Sequence, residues 1–524
     1  MKRHGESISP DLVPSPKRRC SGDVIVVKPP PQLSQLSQQP PQSLAAFTVS
    51  LPSPTSPPAL LYSSHDASSS SPSASPSSSA YGSPLATTIA SSTGTLLDAA
   101  PCQPSVAELT WHFSTVLSPC LVFGQHEAAN PFQELLLPLT LDENASITHA
   151  VCAFASAHLE VMGLAQPGWS SDYYNLALAR LASQIESGQD HEMALAAILT
   201  LVSYEVLVRE RPSDIIEHHL RGAYFLLKEL HDKQTPLTSF LERQFRYYDA
   251  IVALSLGTCP VAEAPSLTPL QPDTPPLDSC GIGGIGGGGG GGGVHLAPLL
   301  GMAADLWPIL YRLSGMLPLK RDLDDAITGR QPARTSVLRA EMNASSRAIE
   351  AALHRWMPPP LLLLPDQDPT DALARQSPRV QASVHHALAY RHSALVYLHR
   401  AIHGYPQRHR LVQTNAHSAL MHCTAALATS SAVDASCTPT SGLLWPLFTA
   451  ACEAIDEEDR DMASQVFDAM RKRQRMINID HAWYVMARVW ARVDENLTRG
   501  VRAEDTLTVW RDAEAALGLK VILS

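Results

Sequence analysis

Histidine is the residue type best suited to chemistry in this chain, which holds 21 of them. His399 and His403 stand four positions apart, so on a helix they share one face and could together bind a metal ion. A zinc protease requires glutamate directly after the first histidine of such a pair, and Arg400 occupies that position. We therefore interpret His399 and His403 as ordinary helix-face residues, and a metal-dependent enzyme that uses them stays an alternative.

Three further patterns resemble a catalytic, a nucleotide-binding or a metal site but lack the sequence context that such a site needs. The acidic run 456–459 opens a predicted helix, where negative charge suits the helix dipole. Residues 281–286 have the spacing G-x-G-x-x-G, but proline and serine precede them and more glycine follows, whereas a dinucleotide site needs a strand before and a helix after. None of the nine cysteines forms a C-x-x-C pair, which argues against a zinc site of closely spaced thiolates. The sequence therefore predicts neither catalytic residues nor a metal site.

Basic residues are locally clustered although the whole chain is acidic. With 39 Lys and Arg against 50 Asp and Glu, the formal charge is −11, so the chain as a whole is not a nucleic-acid-binding polycation. Lys17, Arg18 and Arg19 form an exposed basic cluster, which we interpret as a nuclear-import signal, with a chance cluster as the alternative. The basic residues of 471–475 are interpreted as a solvated helix face, with a DNA contact as the lesser alternative.

The elements that must position these residues are predicted to be helices throughout. Apolar residues recur at spacings of three and four in four consecutive stretches of residues 144–232. Short joints, two of which contain Gly168 and Gly188, force neighbouring helices to pack against each other as in a bundle. Ser171 is expected to supply a capping oxygen and Asp172 an acidic first turn. No convincing alternating strand pattern occurs, so the predicted fold class is all-α, a multi-helix bundle or array.

The composition divides the chain into four predicted segments. Residues 1–104 form a long Ser- and Pro-rich arm that we expect to be disordered, because it cannot bury enough apolar surface. Residues 105–258 form the first part of a helical domain, 259–297 a disordered Gly- and Pro-rich insertion, and 298–524 the second part. In the second part we predict helices at 299–316, 335–356, 380–403 and 410–427.

The C-terminal sequence carries a resemblance to a known family. Residues 444–454 read LWPLFTAACEA, and they are followed by Glu458-Asp459-Arg460 and by a late Trp490. This order resembles the end of a fungal-specific transcription factor domain. Pieces of the first half resemble the same family: the small-residue helix 150–158, the Tyr-Tyr step at 173–174, the helix 196–205 and the segment 219–223. The resemblance covers roughly residues 106–495 without the glycine insertion.

The resemblance implies a nuclear regulator of transcription with no enzymatic activity, acting on a metabolic or biosynthetic gene set. Members of this family typically carry an N-terminal zinc cluster of six closely spaced cysteines, which reads DNA. This chain has only Cys20 and Cys102 before the helical domain, so we expect no zinc cluster and no cofactor. Expected partners are the transcription machinery or a DNA-binding partner, which would give indirect association with DNA, and a second copy of the chain in a homodimer.

Two interpretations compete with direct regulation. One is a co-regulator that binds DNA only through a partner, and the other is a helical scaffold with no role in transcription. No run of 18 uncharged apolar residues occurs, so no membrane span is predicted. The working hypothesis is that the bundle receives a ligand or a partner and thereby changes access to an activating surface.

Overall fold

The structure is a computed structural model that describes residues 103–122, 130–209, 215–233, 235–263, 301–358, 373, 376–431, 441–498 and 507–524. Most of the predicted arm 1–104, including Lys17, Arg18 and Arg19, and most of the predicted insertion 259–297 lie outside the described residues. Within those ranges the regular elements are helices, without a β-strand, which confirms the all-α prediction.

The α-helices of the described ranges are α1 Val106–His112, α2 Ser118–Cys120, α3 Ser146–Val161, α4 Trp169–Ser187, α5 His191–Leu207, α6 Ile215–Glu229, α7 Pro236–Leu256, α8 Trp307–Ser314, α9 Met316–Thr328, α10 Pro332–Arg355, α11 Pro378–Tyr397, α12 Arg410–Ser431, α13 Leu444–Ala451, α14 Glu457–Gln474, α15 Ile477–Thr498 and α16 Leu507–Leu517. Single turns of π-helix occur at Phe113–Leu117, Phe132–Leu136 and Leu398–Ile402. Turns of 3₁₀-helix occur at Leu137–Leu141, Met302–Leu306 and Ser441–Leu443.

The four helices predicted within residues 144–232 are present as α3, α4, α5 and α6. Helix α3 packs against both α4 and α5, and α5 packs against α6 and α7. Ala150, Ala153 and Ala157 are buried along α3, where small side chains let the neighbouring helix axes approach closely. Gly188 ends α4 in the left-handed conformation, as expected for a glycine at a helix C-terminus.

The predicted cap of α4 is wrong. The helix begins at Trp169 after Gly168, no side chain caps it, and Ser171 lies inside its first turn. The Glu160 carboxylate, near the end of α3, instead accepts hydrogen bonds of 2.8 Å from the backbone N–H and the hydroxyl of Ser170. Because α3 supplies this acceptor across the joint, a local capping residue is not needed to satisfy that amide. Asp172 lies in the first turn as predicted.

The helix predicted at 299–316 is also wrong as a single element. A 3₁₀ turn at Met302–Leu306 leads into α8, and Gly315 separates α8 from α9. Pro308 stands in the first turn of α8, where a missing backbone N–H costs no intrahelical hydrogen bond, so it favours a new helix start at this point. The remaining predicted helices of the second half are present as α10, α11 and α12, with boundaries moved by a few residues.

A buried histidine pair joins the two halves of the helical domain. Nε2 of His158 lies 2.9 Å from the carbonyl oxygen of Gln474 on α14, so this nitrogen carries the hydrogen and donates. Nδ1 of His158 then accepts from Nε2 of His112 on α1, 2.9 Å away. The hydrogen bonds connect α1, α3 and α14 in one core. None of the helices described here could traverse a lipid bilayer, since none is sufficiently long and apolar.

Candidate functional site

The sequence pieces that carry the family resemblance meet around α13. Trp445 is fully buried in this helix and stacks on Tyr390 of α11, with ring centroids 5.6 Å apart. Trp490 of α15 donates from Nε1 to the carbonyl oxygen of Ala451, the last residue of α13, over 2.8 Å. Residues that are 45 positions apart in the sequence, Trp445 and Trp490, therefore pack on the same short helix.

Arg460 of α14 contacts both α15 and the residues that follow α13. Its guanidinium forms a fork with Asp494, with both nitrogen–oxygen distances at 2.9 Å, and lies 5.2 Å from the centre of the Trp490 ring. Its Nε also donates to the carbonyl oxygen of Ala454, over 3.3 Å. A planar guanidinium can make the paired and stacked contacts together, which lysine cannot. Arg460 and Trp490, two residues of the family resemblance, thus together hold α14 and α15 against the end of α13.

A buried ion pair lies at the centre of the region. Nε of Arg400 donates to Oε2 of Glu453 over 2.8 Å, and the two side chains are 4% and 11% exposed. Arg400 belongs to the π-helical turn Leu398–Ile402 that ends α11, and its Nη1 donates to the carbonyl oxygen of Tyr405. Burial raises the pKa of the Glu453 carboxyl, and the neighbouring Arg400 opposes that shift. The pair joins the end of α11 to the residues that follow α13.

A small cavity of about 30 Å³ adjoins this ion pair. Its wall is formed by α11, α13, α15, α16 and the π-helical turn. Three of its lining groups are buried and have no hydrogen-bond partner among the described residues: the hydroxyls of Tyr397 and Thr449 and Nε1 of Trp510. A cavity of this size has room for one or two water molecules, because each needs about 10–15 Å³. The geometry suits binding of water or a very small polar molecule between helices.

The two histidines of the alternative metal site, His399 and His403, lie close together near the end of α11. Nε2 of His399 lies 3.2 Å from Oε1 of Glu350 on α10, and the rings of His399 and His403 have centroids 6.2 Å apart. Burial lowers the pKa of His399, and Glu350 opposes that effect. In the described part of the chain, no three His, Cys, Asp or Glu side chains converge as metal ligands. The described cysteines Cys120, Cys152, Cys259, Cys423 and Cys452 are separate thiols.

The charged runs of α14 have structural partners. Glu457, Glu458 and Asp459 lie in its first turn, as predicted for the acidic run. Asp459 also contacts Nδ1 of His417 at 2.7 Å, and Arg471 contacts Asp480 of α15 at 2.5 Å. The acidic run thus lies at the start of the helix as predicted, with Asp459 buried, and Arg471 of the basic run is paired within the domain.

Sequence reasoning missed the ion pair and the cavity. In the sequence, Arg400 is notable only because it occupies the position where a zinc protease has glutamate. Glu453 is notable only as one residue of the segment 444–454 that resembles the family. Tyr397 and Trp510 carried no signal, since the residues that meet them are far away in the chain. The candidate import residues Lys17, Arg18 and Arg19 lie outside the described residues, so their role stays a prediction.

Comparison with known proteins gives one match. The family model for the fungal specific transcription factor domain matches residues 108–524 of the sequence. These residues include nearly all of the helices described above. No curated protein and no solved structure matches the chain. The match begins within α1, runs through the ion pair and includes the cavity-lining residue Trp510. The chain therefore belongs to the family of the fungal specific transcription factor domain.

Proposed function

We propose that this chain regulates transcription of a metabolic or biosynthetic gene set in the nucleus, through its helical domain and without catalysis. The observation that carries the proposal is the family match over residues 108–524. Family membership identifies a transcriptional regulator in general terms, and the gene set and compartment are the proposed refinements. Trp490 and Arg460, which belong to the family resemblance, contact each other and the end of α13. These contacts support a domain that acts as one unit.

The ion pair and the cavity suggest how the domain transmits a signal. Arg400 and Glu453 join the end of α11 to the residues that follow α13, and Trp510 of α16 lines the adjoining cavity. A change in what occupies the cavity, or a partner that moves α16, would alter the contacts of Tyr397, Thr449 and Trp510 together. Packed helices respond to such changes by shifting between discrete arrangements. The proposed output is changed access to a surface that recruits the transcription machinery.

Transcript profiling of a strain that lacks the gene tests the proposal. We expect a coherent group of transcripts to change and to return to normal when the full chain is restored. A fluorescently tagged copy of the chain should accumulate in the nucleus of the restored strain. A tagged protein confined to the cytosol, with no change in transcripts, would contradict the proposal and favour a scaffold outside transcription.

Nuclear accumulation is expected to depend on the basic cluster of the N-terminal arm. Replacing Lys17, Arg18 and Arg19 together with alanine removes the charge that an import receptor would bind, so the nuclear-to-cytosolic ratio should fall severalfold. Fluorescence microscopy of the tagged full chain measures that ratio. The matched control replaces three uncharged residues of the same arm, Gln35, Gln38 and Gln39, and should leave it unchanged. Equal ratios in both variants would rule out this cluster as the signal.

The proposed route to DNA is through a partner. Cys20 and Cys102 do not supply the six closely spaced cysteines of the family's zinc cluster. A DNA-binding partner protein would then give the chain its position on a promoter. Contacts with the transcription machinery, and a homodimer, are proposed from the family membership.

A further inference from the structure

A second and larger cavity lies between α6 and α7, away from the ion pair. Its volume is about 250 Å³, just below the range of roughly 300–1,000 Å³ that is usual for small-molecule sites. Tyr224 of α6 and Phe245 of α7 line it, and their rings lie parallel with centroids 5.8 Å apart. Leu227 and Leu230 add aliphatic surface. These four residues make one part of the wall apolar, and that part suits the hydrocarbon portion of a ligand.

Positive charge surrounds this apolar lining. Lys228, Lys233 and Arg246 line the cavity, whereas Glu242 is the one carboxylate that lines it. Nε of Arg246 donates to Glu242 over 3.2 Å, so this pair is neutral as a whole and leaves two lysines in excess. The local charge is thus opposite to the net charge of −11 of the whole chain. An anion would be attracted to this cavity more than to the rest of the surface.

The basic side chains at the cavity are incompletely paired with acceptors. Nζ of Lys228 lies 4.3 Å from the centre of the Tyr224 ring, and no ion pair of Lys228 or Lys233 is found in the described part of the chain. Nη1 of Arg246 is buried and has no hydrogen-bond partner there. Lys228 and Lys233, which line the cavity, are therefore available to pair with an anion that enters it.

We propose that the cavity between α6 and α7 binds a small amphipathic organic anion, such as an aryl carboxylate or sulfonate. Its ring would lie on Tyr224 and Phe245, and its anionic group would reach Lys228 and Lys233. The volume is too small for a folded partner, and the apolar lining disfavours an inorganic anion. Binding itself does not depend on the role in transcription, whereas its use as a regulatory signal rests on the proposed function.

The cavity also has a structural connection to the second half of the domain. The backbone carbonyl of Arg246 accepts a hydrogen bond of 3.3 Å from Nε1 of Trp307, which lies in α8. The ring of Trp307 lies against Tyr390 of α11, with centroids 5.9 Å apart, and Tyr390 stacks on Trp445. A ligand that moves α7 would therefore act on residues that contact α13.

The binding test compares two fluorescent probes of nearly the same shape, anilinonaphthalene sulfonate and its uncharged parent phenylnaphthylamine. We expect the purified full chain to bind the sulfonate more tightly. Replacing either Lys228 or Lys233 with glutamine should raise the Kd for the sulfonate about threefold, and replacing both should raise it about tenfold. The Kd for the uncharged probe should change less than about twofold, because the apolar lining is kept.

A matched variant controls for the general loss of charge. Lys472 is exposed on α14, so Lys472→Gln removes one positive charge far from the cavity in sequence and should leave both Kd values unchanged. Lys228 and Lys233 are also exposed, and circular dichroism of each variant should match the wild type. Equal affinity for the two probes, or a sulfonate Kd that is the same in the double variant and the wild type, would overturn the proposal. If a strain that carries the Lys228→Gln/Lys233→Gln variant has normal transcripts, binding at this cavity does not regulate transcription. The binding result itself would be unaffected.

Discussion

Replacing Glu453 with leucine is expected to lower the free energy of unfolding by about 3–5 kcal/mol, because Arg400 would be left as an unpaired buried charge. The guanidinium cannot escape this cost by losing its proton, since its pKa is too high. Arg400→Met should cost less, because the abandoned Glu453 carboxyl can take up a proton at its raised pKa. Chemical denaturation followed by circular dichroism measures both values.

The double variant Arg400→Met/Glu453→Leu separates the ion pair from its packing. It should recover most of the lost stability, since an apolar pair of similar volume often replaces a buried ion pair at little cost. The control is Glu217→Leu, which breaks the exposed pair of Glu217 with Arg221 on α6 and should change stability by less than about 0.5 kcal/mol. A loss as small for Glu453→Leu as for Glu217→Leu would mean that the buried pair does not hold the end of α11 to the residues that follow α13.

Lowering the pH from 7 to 5 is expected to remove roughly 3–5 kcal/mol of the free energy of unfolding. Burial lowers the pKa of His112 and His219 to about 4, and of His386 and His422 to about 3. In the unfolded chain each group titrates near 6.5, so the unfolded state binds more protons as the pH falls below that value. Stability is therefore fully present above pH 6.5 and is lost towards the folded pKa values.

Buried carboxyls with a raised pKa act in the opposite direction, and they are Asp249, Glu453 and Glu514. Burial raises the pKa of Glu514 to about 7, so the folded state gains stability from this group as the pH falls from 7 towards its unfolded value. We expect the four imidazoles to outweigh these carboxyls. Denaturation curves at several pH values measure the sum.

The variant His112→Phe keeps a ring in the core and removes one titrating group. Its stability should vary less between pH 7 and pH 5, by about 1–2 kcal/mol, even though the hydrogen bond to His158 is lost. The control variant is His231→Asn, which replaces a histidine that is 76% exposed and leaves the core intact. A wild-type protein equally stable at both pH values would show that the buried histidines do not pay a protonation cost on folding.

Local patterns predicted the helices but not all of their ends. Periodic apolar residues and the left-handed glycine Gly188 are properties of short segments, and α3 to α6 follow them. The start of α4 depends on Glu160 from the preceding helix, which no pattern around Ser171 could reveal. The break before α8 was missed because the apolar spacing continues through Leu306 and Leu310 although the helix does not.

The candidate site was beyond local patterns altogether. Arg400 and Glu453 are separated by 53 residues, and each alone resembles an ordinary surface residue. The cavity requires Tyr397, Thr449 and Trp510 to meet, which depends on how α11, α13 and α16 pack. The family resemblance did identify the region, because its motif residues lie around the same helix, α13.

Crosslinking of the tagged full chain to chromatin tests the regulatory role most directly, because it detects both direct and partner-mediated association with DNA. The measurement is recovery of the promoters of those genes whose transcripts change when the gene is deleted. We predict clear enrichment of these promoters over the same promoters from an untagged strain. Recovery equal to that of the untagged strain would contradict a regulator that acts at its target genes.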